Sequence, residues 1–240
     1  MPIETFIVAV ICIILSLIAY KLKAFNMSGT IAAMFVGLMI IFFNYKWFAI
    51  LLLFVFLGVG STKYKYKYKE MLGVAEKNKG VRDANNVIAN GIIAVLLVIF
   101  GLTNLFQVEF IAAGFVGSIS AATADTLASE IGVLSKSWPR LITKISKKVP
   151  HGTNGAISLL GTSSAFVGTA LIGLLAGVVN NDIPFIKILT ISIVAGMIGC
   201  TADSIIGAKW EDKGRLTKNQ VNIIATLIGA LCAIFILLVL

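Results

Sequence analysis

Two short runs carry the acids most suited to chemistry. Thr123-Ala124-Asp125-Thr126 recurs as Thr201-Ala202-Asp203-Ser204, 78 residues later. Both runs sit at the ends of long apolar stretches, and small residues precede them: Gly114, Gly117, Ser118, Ala121 and Ala122 in one, Gly196, Gly199 and Cys200 in the other. A carboxylate in such a place is costly, and it normally faces a cavity or the interior of a helix bundle. Paired aspartates with neighbouring hydroxyls suit Mg²⁺, which takes one or two carboxylates and leaves room for water and phosphate. The alternative is that each Asp caps a helix or pairs with a Lys. Glu130, five residues past Asp125, is either a further metal ligand or an exposed loop acid.

A second run, Pro150-His151-Gly152-Thr153-Asn154-Gly155, precedes another apolar stretch. A Gly-rich turn feeding a helix N-terminus offers free N–H groups and the positive end of the helix dipole, which suits phosphate. An Asn or Thr cap explains the same residues. The turn lacks the Gly-Lys-Ser/Thr of a Walker A loop. Arg140, Lys144, Lys147 and Lys148 lie just before it, and Lys209 lies just past the second Asp run. Such cations complete a polyanion site or simply mark the cytoplasmic side. Asn86 and Asn90, four apart, share a helix face and either meet a ligand or bond to neighbouring helices, with Asp83 nearby. His151, the single histidine, has no partner that indicates a catalytic triad, and zinc is not expected.

The elements that must position these residues are membrane helices. Of 240 residues, 58% are hydrophobic and 13% charged, and the mean hydropathy is +0.98. Soluble domains run at about 25% charged. An ordinary soluble globule, a disordered chain and a disulfide-rich secreted domain are all excluded. Cys12, Cys200 and Cys232 lie in apolar runs and read as packing residues. Apolar segments fall at about 4–20, 28–43, 47–61, 86–102, 109–125, 155–179, 184–206 and 219–240. The second and third are short for a span of about 20 residues and could be re-entrant. The first reads as a retained span and not a signal peptide.

The basic residues test this count. Eighteen of the twenty Lys and Arg residues fall in alternate loops, with Lys46 and Lys187 the exceptions. That alternation places the basic loops in the cytoplasm and both termini outside. The net charge of +9 therefore reflects membrane topology, and no nucleic acid partner is expected. The Lys/Tyr alternation over 63–69 reads as a juxtamembrane segment held by anionic headgroups. The expected architecture is all-α, a single polytopic domain over 1–240 with about eight spans, or seven. Spans five and seven form a parallel internal repeat, unlike the inverted repeats of many transporters. Asn face, Asp runs, Gly turn and cations then converge on the cytoplasmic side above an apolar bundle. That is what phosphoryl transfer between a nucleotide and a lipid requires. A phosphate acceptor needs no strong general base, and none is evident.

The run from Ala121 to Gly132, then Pro139-Arg140-Leu141-Ile142-Thr143, then Val149 through Ser158 with Gly161-Thr162, resembles an integral membrane family. That family contains plant phytyl-phosphate kinase and transmembrane protein 19. Asp203-Ser204-Ile205-Ile206-Gly207-Ala208 and Val87-Ile88-Ala89-Asn90-Gly91 fit as well, and the resemblance covers nearly the whole chain from about Lys21 onward. It implies a CTP-dependent kinase that converts an isoprenyl monophosphate to its diphosphate, broadly similar to phytol and dolichol kinases. The residues carried over are Asp125, Glu130, Arg140, Gly152, Gly155, Asp203 and Asn90. Where this chain has Asn86 the family often has Gln. The partners implied are the isoprenyl monophosphate, a nucleoside triphosphate and membrane lipid; a homodimer is compatible. The nearest rival is a CTP:lipid-phosphate cytidylyltransferase, which carries further acids after its Gly turn; here Ala156-Ile157-Ser158 follows. A non-enzymatic carrier would place its acids at the midplane, and a packing protein would leave the polar runs unexplained.

Overall fold

The computed structural model describes residues 2–76, 78–180 and 182–240. Its helices are α1 (Ile3–Lys21), α2 (Met27–Phe43), α3 (Phe48–Lys63), α4 (Tyr66–Met71), α5 (Ala84–Leu102), α6 (Val108–Gly132), α7 (Leu159–Val179), α8 (Phe185–Ile206) and α9 (Lys218–Val239). Among the described residues, seven helical stretches are long and apolar enough to cross a membrane, one of them joining a 3₁₀ turn to α3 as Tyr45–Lys63. The remaining apolar helix, α2, has 17 residues, or about 26 Å of rise against a hydrocarbon core of about 30 Å. The protein is a polytopic helical membrane protein.

Helix α6 is the axis. Its residues from Ile111 to Ala124 are all buried, and most are Ala, Gly or Ser. Lipid is as apolar as Leu, so membrane helices associate through close packing of small residues and interhelical hydrogen bonds. Both devices are present. Gly117 of α6 faces Gly229 and Ala233 of α9 with no room for a Cβ. Ser120 of α6 shares a 2.7 Å hydrogen bond with Ser192 of α8, which donates to the Thr169 carbonyl of α7 at 2.7 Å. Helices α7, α8 and α9 pack around α6, while α2 packs on α5 and α1 packs on α2. Ser120 faces Ser192 and Gly196, and Ala121 faces Gly199. Helices α6 and α8 therefore run parallel.

The chain departs from its expected boundaries at two places that matter. Helix α6 continues past Asp125 to Gly132, so Asp125 and Glu130 are both helical residues and neither lies in a loop. Helix α7 starts at Leu159, not Gly155, and its cap is Ser158, whose hydroxyl accepts from the Gly161 amide at 3.1 Å. The residues between form a small antiparallel sheet that the hydropathy pattern does not announce. Its strands are β1 (Arg140–Leu141), β2 (Lys144–Lys148) and β3 (Ala156–Ile157), in the order β2-β1-β3. This hairpin cap lies over the end of the bundle where α3, α6 and α8 finish and α5, α7 and α9 begin.

Candidate functional site

The two aspartates meet. Lys218, the first residue of α9, reaches Asp203 Oδ1 at 3.1 Å and Asp125 Oδ2 at 3.5 Å. The carboxylates come from parallel helices, and a single ammonium answers both. Lys218 is fixed by the start of its helix: Thr217 and Gln220 form a reciprocal capping box, which orders the first turn. The Asp203 side chain is 7% exposed and that of Asp125 14%, whereas Lys218 is 46% exposed. Asp203 Oδ2 is buried and accepts no hydrogen bond from the described residues. Two acids, one cation and an orphaned carboxylate oxygen leave this spot short of positive charge. A buried anionic oxygen without a donor is a costly arrangement that a ligand cation would relieve.

Glu130 stands apart from that pair. Five residues along a helix turn the side chain by about 140° from Asp125. Its Oε2 accepts from Lys69 Nζ at 2.5 Å, and its Oε1 lies 3.0 Å from the Thr62 hydroxyl. Lys69 is fully buried and also donates to the Ser61 carbonyl at 2.7 Å. The 63–69 segment is thus not wholly a headgroup-facing strip. Its residues from Tyr66 form the short helix α4, which folds back to insert Lys69 against α6. Among the described residues, no three His, Cys, Asp or Glu side chains gather as a metal cluster.

An amide layer connects the acid pair to the start of α5. Asn222 lies one turn beyond Lys218 on α9, and its Nδ2 donates to Asn90 Oδ1 at 3.5 Å. Asn90 Nδ2 donates to the Asn86 carbonyl at 2.9 Å. Asn86 Oδ1 accepts from Arg82 Nη1 at 3.1 Å, and Arg82 Nη2 donates to the Thr62 hydroxyl at 3.4 Å. Asp83 caps α5 by accepting from the Asn86 amide at 3.0 Å. Burial pushes the Arg82 guanidinium below its ordinary pKa, with Glu130, Glu76 and Asp125 pulling it back up. Arg82 is a poorly hydrated cation without a carboxylate at bonding distance among the described residues.

The Gly turn arrives at the same place by a different route. Gly152 has φ +81° and Gly155 φ +72°, values that favour glycine. Gly155 also lies against the Ser204 carbonyl and Ala208, where a Cβ would collide. The turn therefore packs directly behind Asp203 instead of opening α7. Asn154 Nδ2 donates to Asp212 Oδ1 at 2.8 Å, and Thr153 Oγ1 donates to the Pro150 carbonyl at 2.8 Å. Arg140 donates to the Ile145 carbonyl at 2.9 Å, which ties the hairpin's two strands. Lys144, Lys148 and Lys209 are exposed.

Lys218, Asn222, Arg82, Thr62 and Lys69 are the members of this layer that the motifs did not single out. Asn222 carries the same signal as Asn86 and Asn90, an amide inside an apolar stretch. Lys218 is four residues from Asn222 and lies inside a Thr-x-x-Gln cap, so helical spacing puts the two on one face.

A family profile described as integral membrane protein DUF92 matches residues 10–230. The chain belongs to the DUF92 integral membrane protein family. Among its DUF92 relatives is an uncharacterized membrane protein of Methanocaldococcus jannaschii, 34% identical over 235 residues, which spans 98% of this chain and 94% of that one. Protein PGR of Arabidopsis thaliana is 33% identical over 226 residues, 84% of this chain and 78% of its own length. Protein VTE6, chloroplastic, also of Arabidopsis thaliana, is 32% identical over 171 residues, 69% of this chain and 50% of its own length. No solved structure matches the chain.

Proposed function

We propose that this DUF92 protein is a membrane kinase that transfers the terminal phosphoryl group of CTP to an isoprenyl monophosphate, giving the diphosphate. The observation that carries the reading is the meeting of Asp125 and Asp203 at one under-neutralised point beside a cationic hairpin. The resemblance to the family of plant phytyl-phosphate kinase supports the reaction class. The basic end of the bundle faces the cytoplasm in this reading, where a soluble nucleotide arrives.

Asp125 and Asp203 fit Mg²⁺, since hard oxygen donors in this number leave positions for phosphate and water. When bound, Mg²⁺ supplies charge neutralisation to the nucleotide phosphates. Lys218, released from one carboxylate, stays within reach as a second positive charge. Arg140, Lys144, Lys148 and Lys209 hold the nucleotide's outer phosphates, and the backbone of the turn formed by Gly152, Thr153, Asn154 and Gly155 fixes their position. Asn86 and Asn90 orient the acceptor phosphate. Glu130 serves by anchoring Lys69 and Thr62, not as a metal ligand. An ionised phosphate oxygen of the acceptor forms the new P–O bond to the γ-phosphorus, the β–γ bridge bond breaks, and CDP leaves. No proton has to be removed in that step. Positioning and charge neutralisation are the whole task.

The test uses purified protein, Mg²⁺, a panel of isoprenyl monophosphates and CTP labelled in separate reactions at the γ- or α-phosphorus. Label in the lipid from the γ position alone is expected. Label from the α position alone means cytidylyl transfer and overturns the reaction. Full activity in a folded Asp125→Asn protein overturns the site.

A further inference from the structure

On the side of the bundle away from α8 and α9 lies a cleft that shares only Asn86 and Asn90 with the site residues that the sequence motifs single out. It measures about 700 Å³ and opens between α1, α2, α3 and α5, within the range of about 300–1,000 Å³ usual for ligand sites. Its walls are apolar along most of their length, with Leu15, Val36, Leu51 and Val55 among them. Along α3 the lining runs from Phe48 to Lys63, a rise of about 22 Å. That is more than the depth of one leaflet in a hydrocarbon core of about 30 Å. Only one end is polar. There Lys63, Arg82, Asn86 and Asn90 line the cleft, and no Asp or Glu does so among the described residues. Among the described residues, Lys63 Nζ donates only to backbone carbonyls, those of Lys23 at 3.3 Å and Lys79 at 3.1 Å. Arg82 meets an amide and a hydroxyl. Two cations without carboxylate partners at the mouth of an apolar slot call for an anionic head on an apolar chain.

We infer that this cleft is the lipid site: it holds one apolar chain of a single-chain lipid phosphate along α3, with the phosphate on Arg82 and Lys63. This rests on the kinase reading for its phosphate acceptor but not for its geometry. A two-chain phospholipid is the competing occupant, and the binding test includes one. The polar mouth also approaches α6. A Cβ at Gly58 would lie 3.6 Å from both Arg82 Nη2 and Thr126 Cγ2, which places the guanidinium beside the residue that follows Asp125. A phosphate on Arg82 thus stands near the turn of α6 that carries Asp125, and the amide layer of Asn86, Asn90 and Asn222 continues from it to α9, one turn from Lys218.

Gly60 gives a clean probe, because a Cβ there meets nothing within 4 Å while the residue lines the cleft. Gly60→Phe adds bulk at the mouth of the slot from a position where a Cβ is free of contact, and a helical Gly is a poor helix former in any case. Ala33→Leu narrows the slot from α2 as an independent check. Binding is read by native mass spectrometry of the full chain in detergent micelles, using geranylgeranyl monophosphate, geranyl monophosphate, geranylgeraniol and a diacyl phosphatidic acid. The wild type is expected to retain geranylgeranyl monophosphate over the alcohol and the diacyl lipid. Arg82→Gln is expected to weaken it by about tenfold or more, with Arg82→Lys recovering part of the loss. Gly60→Phe or Ala33→Leu, at an unchanged unfolding temperature, is expected to lose the long chain more than the short one. Asp203→Asn is expected to keep lipid binding. Equal retention of the alcohol or of the diacyl lipid overturns the inference, as does unchanged chain preference in both plugged variants. Lipid binding that follows these rules in a protein without phosphoryl transfer overturns the kinase and leaves the cleft assignment standing.

Discussion

The two ends of the bundle are built differently. At the end that carries the acid pair, the long helices that begin there are capped by side chains: Asn26 for α2, Asp83 for α5, Ser158 for α7 and Thr217 for α9, with the short α4 uncapped after Lys65. At the other end, α1, α3, α6 and α8 begin after Pro2, Trp47, Gln107 and Pro184, none of which makes a side-chain cap bond; the one cap there among the described residues is Asn44, which accepts from the Lys46 N–H of the 3₁₀ turn before α3. The second end relies on packing. Trp47 stacks on Phe115 with ring centroids 4.8 Å apart, and only Lys46 and Lys187 bring positive charge there. A capped terminus fixes the direction of its first turn to within a residue, and side chains projecting from that turn are then placed in turn. Lys218, Asn86 and Asn90 all project from first or second turns of capped helices. The comparison teaches that polar residues at the first end do two jobs, and that its helix starts are positioned for the sake of what they present.

The largest expected effect breaks the pairing at that end. Asp203→Asn is expected to lower phosphoryl transfer by about 100-fold or more, read as kcat at saturating lipid. A loss confined to KM for the nucleotide would mean that Asp203 binds without assisting the transfer. Next is the buried ion pair behind the site. Lys69→Met leaves Glu130 buried without its partner and is expected to cost about 3–5 kcal/mol, measured by equilibrium unfolding in detergent. The double change with Glu130→Leu is expected to recover most of that. A cost for the double variant equal to the single one would mean that the carbonyl contacts of Lys69, not the ion pair, hold α4 in place. Gly155→Ala is a smaller test, at about 1–3 kcal/mol for the positive φ alone, with activity falling further because the turn must back away from Ser204. The smallest test addresses the comparison itself. Thr217→Ala at the capped end is expected to cost about 1 kcal/mol, whereas Gln107→Ala at the uncapped end stays within about 0.5 kcal/mol. Equal losses at both would erase the distinction.

Much of this end was legible before any coordinates. The apolar lengths mark where the helices lie, because burial in lipid leaves few other choices for backbone polar groups. The Asp runs and the Asn pair declare themselves as polar residues in costly places. What could not be read was which partner each would find. Lys218 looks like one more cytoplasmic positive charge until α9 is packed beside α6 and α8, and Lys69 looks solvated until α4 turns back. Glu130 follows the same rule: its distance from Asp125 in sequence is short, yet the continuation of α6 as helix turns it to another side. The hairpin of β1, β2 and β3 escaped notice because its strands are two to five residues long and β2 is exposed throughout. Such strands carry no alternation to detect.

Helix α1 turns small and polar residues toward the protein and large apolar ones toward lipid. Its buried residues are Thr5, Cys12 and Ser16, while Ile7, Ile14 and Leu17 are exposed. It leans on α2 and adds little to the knot of helices around α6. In mechanical terms the molecule is a rigid hub with one loosely seated stave. Tension applied at residue 3 would peel α1 away before the hub yielded, and the rupture force would rise in a step only when α2 and α5 came under load.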